Sequence, residues 1–120
     1  MKLVLNNVTY HNCPVELREK VAFAPEKRHL MLKRMYAESR ITEAAIIETC
    51  NRSEFYAYAK KDFDVTAFLA ELIGQVQPEA IDTWSKYSRQ SEGTDLFAIS
   101  LISPRALIRK CSAKIRYFRR

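Results

Sequence analysis

A chain of 120 residues with 48% hydrophobic and 28% charged content is long enough for one domain with a modest core, and too rich in apolar residues to stay disordered. No apolar run reaches the length of a membrane span, and Met1-Lys2-Leu3-Val4-Leu5 lacks the apolar region and cleavage site of a secretory signal, so a cytoplasmic location is expected. Three cysteines, Cys13, Cys50 and Cys111, form an odd set with neither framework nor CxxC spacing, which argues against a disulfide scaffold and a zinc site.

The net charge of +6 is unevenly distributed. Arg105, Arg109, Lys110, Lys114, Arg116, Arg119 and Arg120 lie in the last sixteen residues, which hold no acid; the rest of the chain carries 13 basic against 14 acidic residues. Such a basic end attracts nucleic acid or is a solvated terminus without a role, and both readings stay open.

In chain order, Lys2 to Tyr10, with Val4, Val8 and Thr9, predicts a first strand, and Asn6-Asn7 places a bulge or turn in it. Pro14 suits the first turn of a short helix whose Val15, Leu17 and Val21 share a buried side. Pro25-Glu26 opens a second helix with Leu30, Met31, Met35 and Tyr36 inward and Lys27, Arg28, Lys33 and Arg34 outward. Ile41 to Thr49 reads as a buried strand. Asn51-Arg52-Ser53-Glu54 reads as a turn, and Phe55 to Ala59 as the next strand, with Phe55, Ala57 and Ala59 alternating against Tyr56 and Tyr58. Asp64 or Thr66 caps a helix that ends near Gly74. Trp84 to Ser88 reads as an edge strand, and Thr94 to Ile102 as a helix stopped by Pro104. The order predicts an α+β fold: a ferredoxin-like antiparallel sheet of about four strands with packed helices. With two glycines in the chain, a phosphate-cradling loop is excluded and no nucleotide-binding domain is expected here.

The segment Glu48-Thr49-Cys50-Asn51-Arg52-Ser53-Glu54 is chemically unusual. An apolar run, Ala44-Ala45-Ile46-Ile47, feeds directly into a thiol followed by an amide, a guanidinium, a hydroxyl and a carboxylate. A cysteine at a strand end is by itself more often a small core residue. A thiolate beside an arginine can, however, attack an acyl carbon while the guanidinium holds a carboxylate, with Thr49 and Asn51 supplying orienting hydrogen bonds. His11 and His29 have no recognisable spacing to a cysteine and read as surface residues; Cys13, before Pro14, reads as packing.

Two segments together resemble the N-terminal domain of glutamyl-tRNA reductase: His11-Asn12-Cys13-Pro14-Val15-Glu16-Leu17-Arg18-Glu19-Lys20-Val21-Ala22-Phe23, similar to an early Pro-x-x-x-Arg-Glu segment, and Glu48 to Tyr56, similar to a Thr-Cys-Asn-Arg motif. The resemblance covers about residues 1–97. It implies that Cys50 is the nucleophile that takes glutamate from its tRNA as a thioester, and that Thr49, Asn51 and Arg52 contact substrate, Arg52 at the carboxylate. It implies reduction of the thioester by NADPH to glutamate-1-semialdehyde, the first committed step of tetrapyrrole synthesis. It implies glutamyl-tRNA as partner and, as a further one, the next enzyme of the route, an aminomutase. The family's histidine before a Leu-Phe pair is Asp95 here, and the Gly-Leu-Asp-Ser continuation gives way to Ser100-Leu101-Ile102-Ser103. Residues 1–97 are therefore expected to be the family-like domain and 98–120 a divergent basic tail. The family's cofactor and dimerisation domains have no counterpart in these 120 residues, so a monomer that does not complete the reduction is expected. A catalytically inactive tRNA-binding module and a nonfunctional truncated remnant stay open beside the enzyme.

Overall fold

The computed structural model describes residues 1–9, 11–49, 52–93 and 114–119. Its elements are β1 (Lys2–Thr9), α1 (Val15–Arg18), a 3-10 turn (Glu19–Val21), α2 (Pro25–Ala37), β2 (Ile41–Thr49), β3 (Arg52–Ala59), α3 (Val65–Val76), a second 3-10 turn (Pro78–Ala80), α4 (Ile81–Tyr87), β4 (Arg89–Gly93) and β5 (Lys114–Arg119). The strands form one sheet in the order β4-β1-β3-β2-β5, and every neighbouring pair is antiparallel. The part β4-β1-β3-β2, threaded β-α-β-β-α-β, is the ferredoxin-like arrangement expected from the sequence. The fifth strand, drawn from the basic C-terminal stretch, adds to the outer edge of β2.

Alternation decides which side chains meet the helices. Val4, Val8, Ala44, Ile46, Phe55, Ala57 and Ala59 enter the same core as Met31, Met35, Leu69, Ile73 and Trp84 from the helices. Phe55 is the centre of that core, edge-on to Phe23 at 5.7 Å and to Trp84 at 5.3 Å. A register shift between Ile41 and Glu43 lets Ile41 point into the core alongside Ala44, and Thr42 Oγ1 donates to the Tyr58 carbonyl across it at 3.1 Å. Helix α2 starts at Pro25 in its first turn, and α3 is capped by Asp64, whose Oδ1 accepts from the Ala67 N–H at 3.0 Å.

Several expectations are corrected. Asn6-Asn7 makes no bulge: β1 pairs with β3 and with β4 in unbroken register, because Asn6 is buried on the core side while Asn7 faces Glu54. Val15 is exposed, since α1 lasts only four residues and just Leu17 and Val21 reach the core. Leu30 and Tyr36 are exposed and Arg28 is buried, because the inward stripe of α2 runs Arg28, Met31, Met35. Of the expected turn, Arg52, Ser53 and Glu54 are instead paired residues of β3, opposite Thr49, Glu48 and Ile47, and Asn51 lies outside the described residues. Helix α3 continues past Gly74 to Val76, carried by apolar contacts of Leu72, Ile73 and Val76. Trp84 to Tyr87 is helical, not a strand: Ala80, Thr83 and Trp84 recur at helical spacing on its buried side, and the fourth strand begins at Arg89. The predicted helix from Thr94 to Ile102 lies outside the described residues.

Removing the central ring tests this core. Phe55→Ala is expected to cost about 3–5 kcal/mol in urea unfolding, the range for large aromatic deletions in close-packed cores. A loss below about 1 kcal/mol would mean that Phe55 does not occupy the core position described.

Candidate active site

The chemically unusual segment ends one strand and begins the next. Thr49, the last residue of β2, is the cross-strand partner of Arg52, the first of β3, and Arg52 is also the partner of Thr9 at the end of β1. Three strand ends thus bring Thr9, Arg52 and Thr49 into one row at the sheet's rim. Cys50 and Asn51, between Thr49 and Arg52, lie outside the described residues.

Arg52 is exposed, with 46% of its side chain open to solvent, and its Nη1 stands 3.9 Å from Glu54 Oε2. Glu54 is buried on the same side of the sheet, and its Oε2 accepts from Asn7 Nδ2 at 3.4 Å. Among the described residues the guanidinium's other donors have no hydrogen-bond partner, so they can meet a ligand anion in a forked pair. Tyr56 follows on that side. Burial, then the charge of Glu54, raises its phenol to a pKa of about 12, against a smaller lowering by Arg52.

On the opposite side of the same hairpin lies a buried polar cluster. Arg28 Nη1 donates to both Glu48 Oε2 and the Phe23 carbonyl. The Phe23 N–H donates to Glu48 Oε1 at 2.7 Å. The Ser53 hydroxyl donates to the Val21 carbonyl at 3.0 Å, with Glu48 Oε1 at 3.1 Å as the alternative acceptor. Glu48 and Ser53 are cross-strand partners one step inside the Thr49–Arg52 pair. Gln77 extends the bracing by donating through Nε2 to the Lys20 carbonyl at 2.8 Å. At the end of β1, Asn12 Oδ1 accepts from the Thr9 N–H at 2.8 Å and from Thr9 Oγ1 at 3.0 Å.

These bonds join the two segments singled out in the sequence. Residues 11–23 wrap the rim: Asn12 accepts from Thr9 at the end of β1, the Val21 carbonyl accepts from Ser53, and the Phe23 N–H donates to Glu48. Sequence reasoning missed Arg28 and Glu48. The signal was present: Arg28 stands three and seven residues before Met31 and Met35, on the same helical stripe. Cys13 is buried, its Sγ 3.6 Å from the Pro14 carbonyl, and burial raises its thiol pKa against the opposing charge of Arg18, which suits packing rather than attack. His11 and His29 are exposed.

Neither glycine offers a dinucleotide cradle. Gly74 lies inside α3, Gly93 ends an exposed strand, and neither has a positive φ. Among the described residues no cluster of three metal-ligating side chains occurs. No helix there is long and apolar enough to cross a membrane.

The Tyr56 environment has a pH signature. Its folded pKa lies above the ordinary 10, so the stability it contributes is intact below pH 10 and is lost as pH rises through about 12. Ultraviolet titration of the folded protein should show a tyrosine step near pH 12, and Tyr56→Phe should remove that step. Six phenols titrating together near 10 would contradict the buried, Glu54-facing position.

Comparison with known proteins places the chain. Residues 7–100 match the family described as glutamyl-tRNAGlu reductase, N-terminal domain. Similar curated proteins are the glutamyl-tRNA reductases of Shewanella baltica strain OS155, 40% identical over 74 residues or 62% of this chain, and of Shewanella loihica strain PV-4, 33% identical over 100 residues or 83% of this chain. The glutamyl-tRNA reductase of Shewanella putrefaciens strain CN-32 is 39% identical over 74 residues. The matches span 18% of the S. baltica protein and 24% of the S. loihica protein. With the ferredoxin-like sheet and the joined rim segments, the match over residues 7–100 means that the chain belongs to the family of glutamyl-tRNA reductase N-terminal domains.

Proposed function

We propose that this domain carries the acyl-transfer half of glutamyl-tRNA reduction, with Cys50 as nucleophile and Arg52 as the group that holds the glutamate carboxylate. The observation that carries the reading is the Thr49–Arg52 pairing at the rim, which leaves an open guanidinium on the strand end adjoining the thiol segment. In the step proposed, the Cys50 thiolate attacks the ester carbon of glutamyl-tRNA. A C–S bond forms and the ester C–O bond breaks. The electron pair leaves with the terminal ribose oxygen, which takes a proton, and glutamate remains as a thioester. Thr49 and Asn51 orient the aminoacyl group by hydrogen bonding.

Arg52 gives the site its selectivity. A forked guanidinium–carboxylate pair favours glutamate over an uncharged side chain, since charge-assisted bonds contribute about 1.5–3 kcal/mol each. Strand alternation puts Arg52 on the same side of the sheet as Glu54, whose Oε2 stands 3.9 Å from its Nη1. Reduction of the thioester to glutamate-1-semialdehyde uses NADPH in the proposed overall reaction of tetrapyrrole synthesis. The described residues do not fit a dinucleotide, and no step of that reduction is assigned to them.

Acylation can be read directly. Incubation with radiolabelled glutamyl-tRNA, without NADPH, should leave protein-bound label that hydroxylamine releases. Cys50→Ser should abolish it. Arg52→Ala should raise the glutamyl-tRNA concentration needed for half-maximal labelling by about 10–100-fold, the equivalent of one charge-assisted contact. Equal labelling of Cys50→Ser would remove Cys50 from the reaction, and an unchanged Arg52→Ala response would remove Arg52 from the carboxylate.

A further inference from the structure

Glu48 stands two residues before the thiol, and its carboxylate is buried. Covalent geometry alone holds the α-carbons of Glu48 and Cys50 within about 7.6 Å of each other. An uncompensated carboxylate at that range would oppose the formation of a thiolate. The structure supplies the compensation from an unexpected place: Arg28, on the buried stripe of α2, reaches the strand end and donates to Glu48 and to the Phe23 carbonyl at once.

We propose that the buried Arg28–Glu48 pair is a positioning device for the acyl-transfer site, clamping the end of β2 to the start of α2 while cancelling the charge of the acid two residues before Cys50. The inference rests on the reading of Cys50 as the nucleophile. Arg28 touches neither substrate nor thiol in this scheme and acts through Glu48. Two features favour a dedicated device over incidental packing. The pair closes a loop of bonds with the Phe23 N–H and Ser53, so the carboxylate has a fixed orientation. The same hairpin keeps a second acid, Glu54, beside Arg52, so Glu48 and Glu54 each face a guanidinium.

Among the described residues the other charged groups around this end include Arg18 of α1, half-buried and close enough to act on Cys13. Arg52 and Glu54 belong to β3, and Lys114 of β5 is the register partner of Glu48. Glu19 and Lys20 of the first 3-10 turn are exposed, as is His11 after β1. None of these changes in the variants below, so a shift in thiol reactivity reports the buried pair.

The test is the pH dependence of Cys50 alkylation by iodoacetamide in the full chain, followed at the Cys50 peptide by mass spectrometry. Arg28→Met leaves Glu48 uncompensated and should move the apparent thiol pKa up by about one unit. Glu48→Gln leaves Arg28 uncompensated and should move it down by a similar amount. The double variant, with neither charge, should return it to the wild-type value. A merely structural role would move both single variants in one direction or not at all, and either result overturns the proposal. Should Arg28→Met fail to fold, the downward shift in Glu48→Gln and its cancellation in the double variant still decide the matter. Alkylation needs no RNA, so these shifts can appear even if glutamyl-tRNA leaves no label on Cys50, and the two readings fail separately.

Discussion

The site depends on the register between β2 and β3. Ile46 opposite Phe55 and Ala44 opposite Ala57 lock that register from the core, since a slip of one residue would turn Phe55 away from Trp84 and Phe23. Once it is locked, Glu48 must face Ser53 and Thr49 must face Arg52. Alternation then divides the end of the hairpin by chemistry. Glu48 and Ser53 go to the helix side, where Arg28 and the Phe23 backbone satisfy them. Arg52 and Glu54 go to the other side, where the guanidinium stays open. A single packing decision at Phe55 thus sets both the buried brace and the exposed cation.

The brace is costly to break and modest in net worth. Two charges removed from water recover their solvation only through good geometry, and a buried pair is often no more stabilising than apolar residues of the same volume. Here the geometry is shared among a side chain from α2, a backbone amide before it and a hydroxyl from β3. What such an arrangement contributes is orientation. It ties residues 11–23 to residues 48–55, and it does so directly beneath the rim.

Much of the fold was legible because its signals are local. Alternation marked β3, Pro25 opened α2, and Asp64 capped α3, as local periodicity and capping predict. Three of the misreadings share a cause: each concerned a residue whose environment is set by distant partners. Arg28 looks like a solvated helix charge until Glu48 is placed within its reach. Ser53 and Glu54 look like turn residues until the ladder gives them cross-strand partners. Trp84 looks like part of an edge strand until Phe55 appears beside its ring. Within the candidate site, Thr49 and Arg52 were visible as neighbours of a thiol, and their facing across the hairpin follows only from the register. The basic C-terminal stretch carried no sequence sign of a sheet partner, yet residues 114–119 pair with β2, and Phe118 meets Tyr36 edge-on at 5.2 Å.

Recognition of a glutamate carboxylate by Arg52 can be observed without chemistry. Nitrogen-15 NMR of the arginine Nε–Hε resonances, during titration with a non-hydrolysable glutamyl-adenosine amide, separates Arg52 of the hairpin from Arg28 of α2. Arg52 at the carboxylate predicts a saturable shift of its own resonance while that of buried Arg28 stays in place. Saturable binding that leaves Arg52 unmoved, with shifts elsewhere in the domain, would contradict the rim as the glutamate site.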